Sequence, residues 1–221
     1  ESDEKARELC EIRSEIPIKA GTSSSSSIMV GWINFLSQNA DNPKILDTKS
    51  IAELAYKAEV IEFDSPGGMM DQYSTSVGNL IYLESEPEIK VKRINRELGA
   101  FVLGDSLEQK DTIGILSRCR DSRLSIMSEM KKFDPDVNFQ TISYDQLDQF
   151  ELDDEKRHLM IGTIKNRDLL YQAKVELKKP NLDQNVLGRL LHDHHKVLSE
   201  CLKVSTSQIE YMLKSAMDAG A

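Results

Sequence analysis

The chain has 221 residues and a formal net charge of −9, with 39% apolar and 29% charged residues. This length allows one large domain or two small ones with a shared core. The acidic balance argues against broad nucleic-acid binding, which depends on Lys and Arg at phosphates. No run approaches the roughly 20 apolar residues of a membrane span. The charged residues 1–13 lack the apolar core of a signal peptide, so a cytoplasmic protein is expected.

The first part of the chain is predicted to hold a strand and two helices. Residues 11–18 contain β-branched residues in loose alternation, which predicts a strand. A helix is expected from about Ser24 to about Gln38, and Ser50 is expected to cap a second helix over residues 51–63. The apolar face predicted for the first helix consists of Ile28, Trp32, Ile33, Phe35 and Leu36.

The middle of the chain predicts a hairpin and a buried strand. Residues 79–84 and 89–94 are typical of the two strands of a hairpin, and residues 100–103 form a short apolar run that favours a buried strand. Residues 71–78 fit either a helix or a loop. The composition changes near residues 95–105, which indicates a boundary between a mixed half and a helix-rich half. The helix-rich half is predicted to contain helices over residues 112–133, 155–177, 184–202 and 206–219, a polar loop over 134–144, and a cap at 181–183.

A serine run precedes the apolar residues of the first predicted helix. Residues 21–27 read Gly-Thr-Ser-Ser-Ser-Ser-Ser. A loop of small residues that leads into a helix exposes unpaired N–H groups at the positive end of the helix dipole, where phosphate oxygens bind. A serine hydroxyl can also reach a bound Mg²⁺. No Gly-Lys-Ser/Thr follows, so the run is not a Walker motif, and a flexible linker or a plain helix cap is the alternative.

A carboxylate follows a pair of glycines. Asp71 comes after Gly67 and Gly68, which permit backbone shapes that other residues resist. An Asp beside a phosphate site can orient or deprotonate an attacking hydroxyl, so this carboxylate and the serine run together predict a phosphoryl-transfer site. The alternative for Asp71 is an ordinary first-turn or capping residue of a helix. Glu59, on the second predicted helix, is by itself typical of a surface residue.

These residues resemble the GHMP small-molecule kinases, and within them the galactokinase branch. The resemblance rests on Pro17 and Gly21 ahead of the serines, on Ala58-Glu59, and on the stretch Pro66-Gly67-Gly68-Met69-Met70-Asp71-Gln72. Later segments agree. Residues 101–106 resemble the strand that opens the family's second half, and His195 with residues 204–210 resembles a helix pair near its C-terminus. The similarity extends over about residues 11–221.

The resemblance implies an α+β fold in two parts. Residues 1–96 would form the N-terminal, ATP-binding part, similar to ribosomal S5 domain 2, and residues 97–221 a helix-rich, ferredoxin-like C-terminal part, with the substrates in the cleft between them. The implied activity transfers the γ-phosphoryl group of ATP to a monosaccharide hydroxyl, the anomeric one in a galactokinase-like enzyme, with Mg²⁺. A family kinase for another alcohol or an acidic sugar, or a non-catalytic binding protein on the same fold, is the alternative. Neither nucleic acid nor a membrane is expected as a partner.

The resemblance also implies roles for individual residues. ATP phosphates would lie against Gly21, Thr22, Ser23, Ser24, Ser25 and Ser26. Ser24 and Glu59 would bind Mg²⁺, and Asp71 would be the catalytic base. The sugar would contact Gly68, Asp71, Ser117 and Arg118. Ser117 and Arg118 stand where galactokinases carry a sugar-contacting tyrosine, and an arginine fork suits a carboxylate or phosphate. The alternative for Arg118 is a solvated helix face.

Some segments depart from the family pattern. Residues 19–22 read Lys-Ala-Gly-Thr where the family usually has Gly-x-Gly-Leu. The family's first motif, which bears an Arg and a Glu-His pair, and its C-terminal glycine-rich motif have no counterpart in this sequence. We therefore expect the chain to be a fragment or the ordered part of a longer protein, with an exposed apolar face where further strands would pack.

Overall fold

The computed structural model describes residues 11–18, 20–108 and 112–220. These ranges form helices, one π-helical turn and a two-stranded antiparallel sheet, which fits an α+β fold in which helices predominate. The helices are α1 (Ser24–Asn39), α2 (Thr48–Tyr56), α3 (Met70–Val77), α4 (Thr112–Met130), α5 (Tyr144–Leu147), α6 (Asp154–Glu176), α7 (Gln184–Glu200) and α8 (Ser207–Asp218). The π-helical turn is Lys57–Ile61, and the strands are β1 (Leu80–Glu84) and β2 (Lys90–Ile94).

The first three helices pack on one another and lead into the hairpin. Helices α1, α2 and α3 form mutual contacts, and β1 follows α3 directly. The predicted start of α1 is confirmed, and residues 70–77 are helical. The predicted hairpin is also confirmed, with Leu80 opposite Ile94 and Glu84 opposite Lys90. The fully or nearly fully buried apolar side chains of this region are Ile51, Ala52, Ala55, Val60, Tyr73 and Tyr82.

Helix α2 begins and ends earlier than predicted. Its N-cap is Asp47 and not Ser50, because the Asp47 carboxylate accepts a hydrogen bond from the Ser50 N–H at 2.7 Å. Hydrogen bonds from Ser50 lower the pKa of Asp47. After Tyr56 the backbone changes to the π-helical turn, which carries Glu59. Such turns are rare, and they are frequent at functional sites.

Two predicted strands are not found where the structure describes the chain. Residues 11–18 and 100–103 pair with no other segment there. Phe101, Val102 and Leu103 are 73%, 97% and 58% exposed, so the prediction of a buried strand is wrong. A strand forms only where a neighbour takes its backbone N–H and C=O groups, and an apolar composition does not provide that neighbour.

The larger core lies in the helix-rich half. It is enclosed by α4, α6 and α7, with α5 and the loop before it closing one side. The predictions of α4, α6, α7 and α8 are confirmed with small differences at their ends. Asp183 caps α7 as predicted, since its carboxylate accepts from the N–H groups of Asn185 and Val186. The loop predicted as polar also contributes two core residues, Val137 and Ile142, which are 2% and 0% exposed.

Contacts at the end of α6 join the hairpin to the helix-rich half. The Arg96 guanidinium, which follows β2, donates to backbone carbonyls of residues 177, 179 and 180. The Lys174 ammonium lies 3.4 Å from the centroid of the Tyr82 ring. Described residues beyond 111 form helices and loops, so the ferredoxin-like description and the division at residues 96/97 stay proposals. Among the described helices, none is long and apolar enough to cross a membrane.

Candidate functional site

The serine run forms a turn and then the first turn of α1. Gly21 and Ser23 both adopt left-handed backbone, with φ of 74° and 56°. For a serine this conformation costs roughly 1–3 kcal/mol, and such residues cluster at functional sites. Ser23 is the N-cap, yet no side-chain hydrogen bond caps the helix and no acidic residue lies in its first turn. Within the described residues, the N–H groups at this end of α1 therefore have no side-chain cap, and an anion is favourable there.

Ser26 is the serine that meets Glu59. It is 1% exposed, and its hydroxyl donates to Glu59 Oε2 at 2.7 Å. Gln72, 2% exposed, donates from Nε2 to the same oxygen at 2.7 Å and to Ser26 Oγ at 3.3 Å. Helix α1, the π-helical turn and α3 thus converge on one carboxylate oxygen. We call these residues the Ser26–Glu59–Gln72 cluster.

The charge of Glu59 has only dipolar partners within the described ranges. Glu59 forms no ion pair there, and its second oxygen, Oε1, accepts no hydrogen bond from a described residue. The side chain is half-buried, which makes an uncompensated charge costly and favours a cation. A carboxylate and a hydroxyl are the hard oxygen donors that Mg²⁺ prefers, so the residues fit this ion. No group of three or more His, Cys, Asp or Glu suitable for a metal occurs in the described part of the chain.

The serine predicted as the metal ligand stands elsewhere in the turn. Ser24 is the first residue of α1, and no hydrogen bond joins it to Glu59 in the described structure. Ser26 lies two residues later, which on a helix places it on a different face. The structure therefore brings Glu59 together with Ser26 of the predicted phosphate loop, and Gly21 to Ser25 line the turn ahead of it.

Helical periodicity explains why Ser26, and not another serine of the run, contacts Glu59. The side chains of Ser26, Val30, Ile33 and Ser37 follow one stripe of α1, and all are buried or half-buried. Of the predicted apolar face, only Ile33 belongs to this stripe, and the other four residues are solvent-exposed. Trp32 is 37% exposed and Leu36 48% exposed, so these members of the predicted apolar face do not pack into a core. Trp32 instead stacks on Phe35 with ring centroids 5.4 Å apart.

Asp71 lies beside the cluster in the first turn of α3. It is exposed, and its chain neighbour Gln72 ties this turn to α1. The N-cap of α3 is Met69, and no side-chain hydrogen bond caps the helix, so Asp71 is not a hydrogen-bonded cap. The negative charge is instead favoured by the dipole of the helix start. Sequence reasoning assigned no role to Gln72, although it directly follows Asp71 in the family pattern.

The glycines before Asp71 do not need to be glycine for backbone reasons. Gly67 and Gly68 both lie outside the left-handed region. A Cβ on Gly67 would lie 3.6 Å from the Val60 side chain, which is ordinary contact, and one on Gly68 would meet nothing within 4 Å. The expectation that this pair supplies an unusual backbone shape is wrong for this structure. Open space above Gly68 is nevertheless compatible with close approach of a ligand.

The predicted sugar contacts Ser117 and Arg118 lie on α4, and the partners of Arg118 come from the end of α7. The Arg118 guanidinium donates to the carbonyls of Leu202 at 2.7 Å and Lys203 at 3.2 Å, just beyond α7. Arg118 also borders a cavity of about 840 Å³ between α4, the start of α6 and the end of α7, and neither Glu59 nor Asp71 lines that cavity. Ser117 precedes Arg118 on the same helix and is half-buried.

A different arginine of α4 borders the loop that leads to Asp71. Arg120 Nη1 lies 3.4 Å from the Ser65 carbonyl, and its Nε pairs with Asp121 at 2.9 Å. Arg118 and Arg120 are two residues apart, which places them on nearly opposite sides of the helix. Arg118 was predicted from its place in the family pattern, and only the packing of α4 shows which arginine, Arg118 or Arg120, lies near the loop before Asp71.

Comparisons with known proteins cover the segment that holds these residues. Residues 4–79 match the family described as GHMP kinases N terminal domain, and this range includes the serine run, Glu59 and Asp71. The chain is also similar to a galactokinase from Pyrococcus furiosus, with 23% identity over 215 residues. That alignment covers 95% of this chain and 58% of the relative, so the chain spans little more than half of the relative's length. The resemblance inferred from the sequence is therefore confirmed as a match of residues 4–79 to this family model and a distant similarity to a galactokinase.

Proposed function

We propose that this protein is an ATP-dependent sugar kinase that transfers the γ-phosphoryl group to a monosaccharide hydroxyl, the anomeric one as in a galactokinase-like reaction. The observation that carries the proposal is the Ser26–Glu59–Gln72 cluster at the uncapped start of α1. It places a carboxylate without a cationic partner, among the described residues, next to a helix end that favours anions. The family match and the similarity to a galactokinase support the same conclusion.

The serine run would hold the nucleotide. Residues Gly21 to Ser26 present backbone N–H groups and hydroxyls to the phosphates of ATP, which supplies the transferred group. Glu59 would hold Mg²⁺ with a hydroxyl of the run, and the ion would neutralise phosphate charge. We favour Ser26 as that hydroxyl because it is the one beside Glu59, and the sequence-based assignment of Ser24 is its competitor.

Asp71 would accept the proton of the attacking sugar hydroxyl. That hydroxyl oxygen forms a bond to the γ-phosphorus, the bond to the bridging oxygen breaks, and ADP leaves. Asp71 lies one residue from the cluster and is exposed, so an acceptor can reach it. Gly68, Ser117 and Arg118 remain the proposed sugar contacts, in a two-part molecule divided at residues 96/97.

The test is phosphorylation by the intact protein with Mg²⁺, ATP and a panel of acceptors. The panel contains galactose, other neutral monosaccharides and uronic acids, because the arginine fork of Arg118 would suit an acidic sugar. ADP release measures turnover, and ³¹P NMR of the product distinguishes an anomeric phosphate from a phosphate on another hydroxyl. Nucleotide binding without ADP release for any acceptor would instead identify a non-catalytic binding protein.

A further inference from the structure

We infer that Gln72 is a positioning residue that orients the metal-binding carboxylate of Glu59, an inference that rests on the proposed function. Its amide reaches two partners that come from different parts of the chain. Nε2 lies 2.7 Å from Glu59 Oε2 and 3.3 Å from Ser26 Oγ. The two candidate metal ligands are thereby held by one side chain that is itself not one of them.

The chemistry of the partners fixes the orientation of the amide. An ionised carboxylate only accepts hydrogen bonds, and the Ser26 hydroxyl already donates its proton to Glu59. The amide group that faces these two oxygens must therefore be the NH₂ donor. This assigns the nitrogen to the cluster and the amide oxygen to the other side.

The amide oxygen is left without a partner. Gln72 is 2% exposed, and its Oε1 has no hydrogen bond in the described structure although it is buried. An unpaired buried amide oxygen lowers stability, so a side chain of similar length without an amide would suit this position better by that measure. The amide oxygen of Gln72 thus lowers the stability of the fold, while the amide nitrogen donates a hydrogen bond to Glu59. This combination indicates a role in the site and not in the core.

The Oε2 donors leave Oε1 of Glu59 free to face a cation. With both Ser26 and Gln72 on Oε2, rotation of the carboxylate is restricted before any metal arrives. Partners that orient a metal ligand in this way typically contribute about 10–100-fold to metal affinity. Loss of the Gln72 amide should therefore weaken Mg²⁺ binding without removing either ligand.

The experiment measures nucleotide binding and not turnover. Isothermal titration calorimetry of the intact protein with the non-hydrolysable analogue AMP-PNP is repeated over a series of MgCl₂ concentrations. We expect Gln72→Met to raise the Mg²⁺ concentration for half-maximal enhancement of binding by about 10–100-fold. Binding without Mg²⁺ should be unchanged. The thermal midpoint of the metal-free variant should change little, because removal of the unpaired amide oxygen offsets the loss of the hydrogen bond to Glu59.

A neighbouring substitution provides the matched control. Tyr73 is the next residue of α3, is 0% exposed and contacts neither Ser26 nor Glu59 by hydrogen bond. Burial is the main cause that raises the pKa of Tyr73, and the negative charge of Glu53 adds to this effect. Tyr73→Phe changes a buried polar group in the same turn and should leave the Mg²⁺ midpoint at its wild-type value.

The outcomes separate this inference from the proposed function. If the wild type shows no Mg²⁺-dependent binding of AMP-PNP, the proposed function is refuted and the inference with it. If the wild type shows it and Gln72→Met keeps the wild-type midpoint, only the inference is refuted. Should Gln72→Met fail to fold, Gln72→Asn keeps the amide and withdraws it by one methylene. A raised midpoint in that variant supports the inference, and an unchanged midpoint rejects it.

Discussion

Position along a helix distinguishes one serine from four chemically identical neighbours. Ser26 is on the side of α1 that faces the other helices, whereas Ser24 and Ser25 are on the sides nearer solvent. A hydroxyl with a fixed partner is oriented at no further cost when a ligand binds, and this favours Ser26 over Ser24 as the partner of Glu59.

Alanine substitutions at Ser26 and Ser24 should therefore have different effects. We expect Ser26→Ala to raise the Mg²⁺ concentration for half-maximal ADP release at least about tenfold. The substitution removes a hydroxyl that either binds the ion or orients the Glu59 carboxylate that binds it. Ser24→Ala should change this Mg²⁺ concentration less than about twofold by the same reasoning. Mg²⁺ titration of steady-state ADP release measures both. The reverse order of effects would restore the sequence-based assignment of Ser24.

Asp71→Asn tests the proposed base. The substitution keeps the shape of the side chain and removes the proton acceptor, so kcat should fall by roughly 10²–10⁴-fold. The affinity for ATP should be nearly unchanged, because among the described residues no hydrogen bond joins the Asp71 side chain to the serine run. Asn is also well tolerated at helix starts, so a purely structural Asp71 would give near-wild-type kcat. Steady-state kinetics with nucleotide titration distinguishes the two.

Close packing of two helices depends on a single glycine. A Cβ on Gly162 of α6 would lie 2.5 Å from the Cβ of Cys201 and 3.3 Å from the Leu202 side chain. Only the absence of that atom allows α6 and the end of α7 to approach as they do. The Leu202 carbonyl in turn accepts hydrogen bonds from Arg118 and Cys119 of α4.

A pair of glycine substitutions tests this packing. Gly162→Ala should destabilise the protein by about 1–3 kcal/mol, because the added methyl group overpacks the interface. Gly188→Ala in α7 should instead stabilise it by about 0.5–1 kcal/mol, since nothing lies within 4 Å of the new Cβ and alanine favours the helix. Urea denaturation followed by circular dichroism measures both. Equal effects of the same sign would contradict the packing argument.

The last helix is attached by a polar contact. His195 Nε2 of α7 lies 2.9 Å from Glu210 Oε1 of α8, and no residue of α8 is buried. The side chains of Ser205, Ser199 and His195 favour the charged form and lower the pKa of Glu210 from its usual 4.5 to about 2. A depressed carboxyl pKa contributes stability above the unfolded value, and this contribution is lost as the pH falls.

Acid should therefore loosen α8 through Glu210. The stability that Glu210 contributes is complete above about pH 4.5 and disappears as the pH approaches 2. In Glu210→Gln this part of the pH dependence should be missing. Amide hydrogen exchange of residues 207–218, measured at pH 5 and pH 3, should show faster relative opening at the lower pH in the wild type only. An identical pH response in both proteins would contradict the assignment.

Two cationic side chains, Arg96 and Lys174, join the mixed half of the molecule to the helix-rich half. Arg96 donates to carbonyls at the end of α6, where the helix dipole is negative. Lys174 of α6 lies over the Tyr82 ring of β1, a cation–π contact. Burial raises the pKa of Tyr82 to about 12, so this hydroxyl stays neutral over the physiological range.

Removal of the Arg96 guanidinium should uncouple the two halves. We expect Arg96→Met to lower the free energy of unfolding by about 1–2 kcal/mol, at the lower end for charged hydrogen bonds because the side chain is half-exposed. The single tryptophan, Trp32, reports on the first half by fluorescence, and circular dichroism reports mainly on the later helices. Urea transitions that coincide in the wild type should separate in the variant. Transitions that still coincide at an unchanged midpoint would contradict this coupling.

Local sequence signals predicted the elements that depend on local interactions. The later helices, the cap at Asp183 and the hairpin are confirmed, because helical periodicity, capping side chains and turn residues act within a few positions of the chain. The family pattern also selected the serine run and Glu59, which the structure brings into contact through Ser26, while the roles given to them and to Asp71 stay predictions. These signals are properties of composition and order, which can be read without knowledge of packing.

Tertiary structure decided which side chains meet and which residues are buried. The contacts of Glu59 with Ser26 and of Gln72 with Ser26 span 33 and 46 residues, beyond the reach of any local propensity. The same reason explains the errors: residues 100–103 have the composition of a strand but no partner, and Trp32 belongs to an apolar stripe that the other helices do not cover. Burial and pairing depend on the neighbour that packing provides, and a single segment does not encode its neighbour.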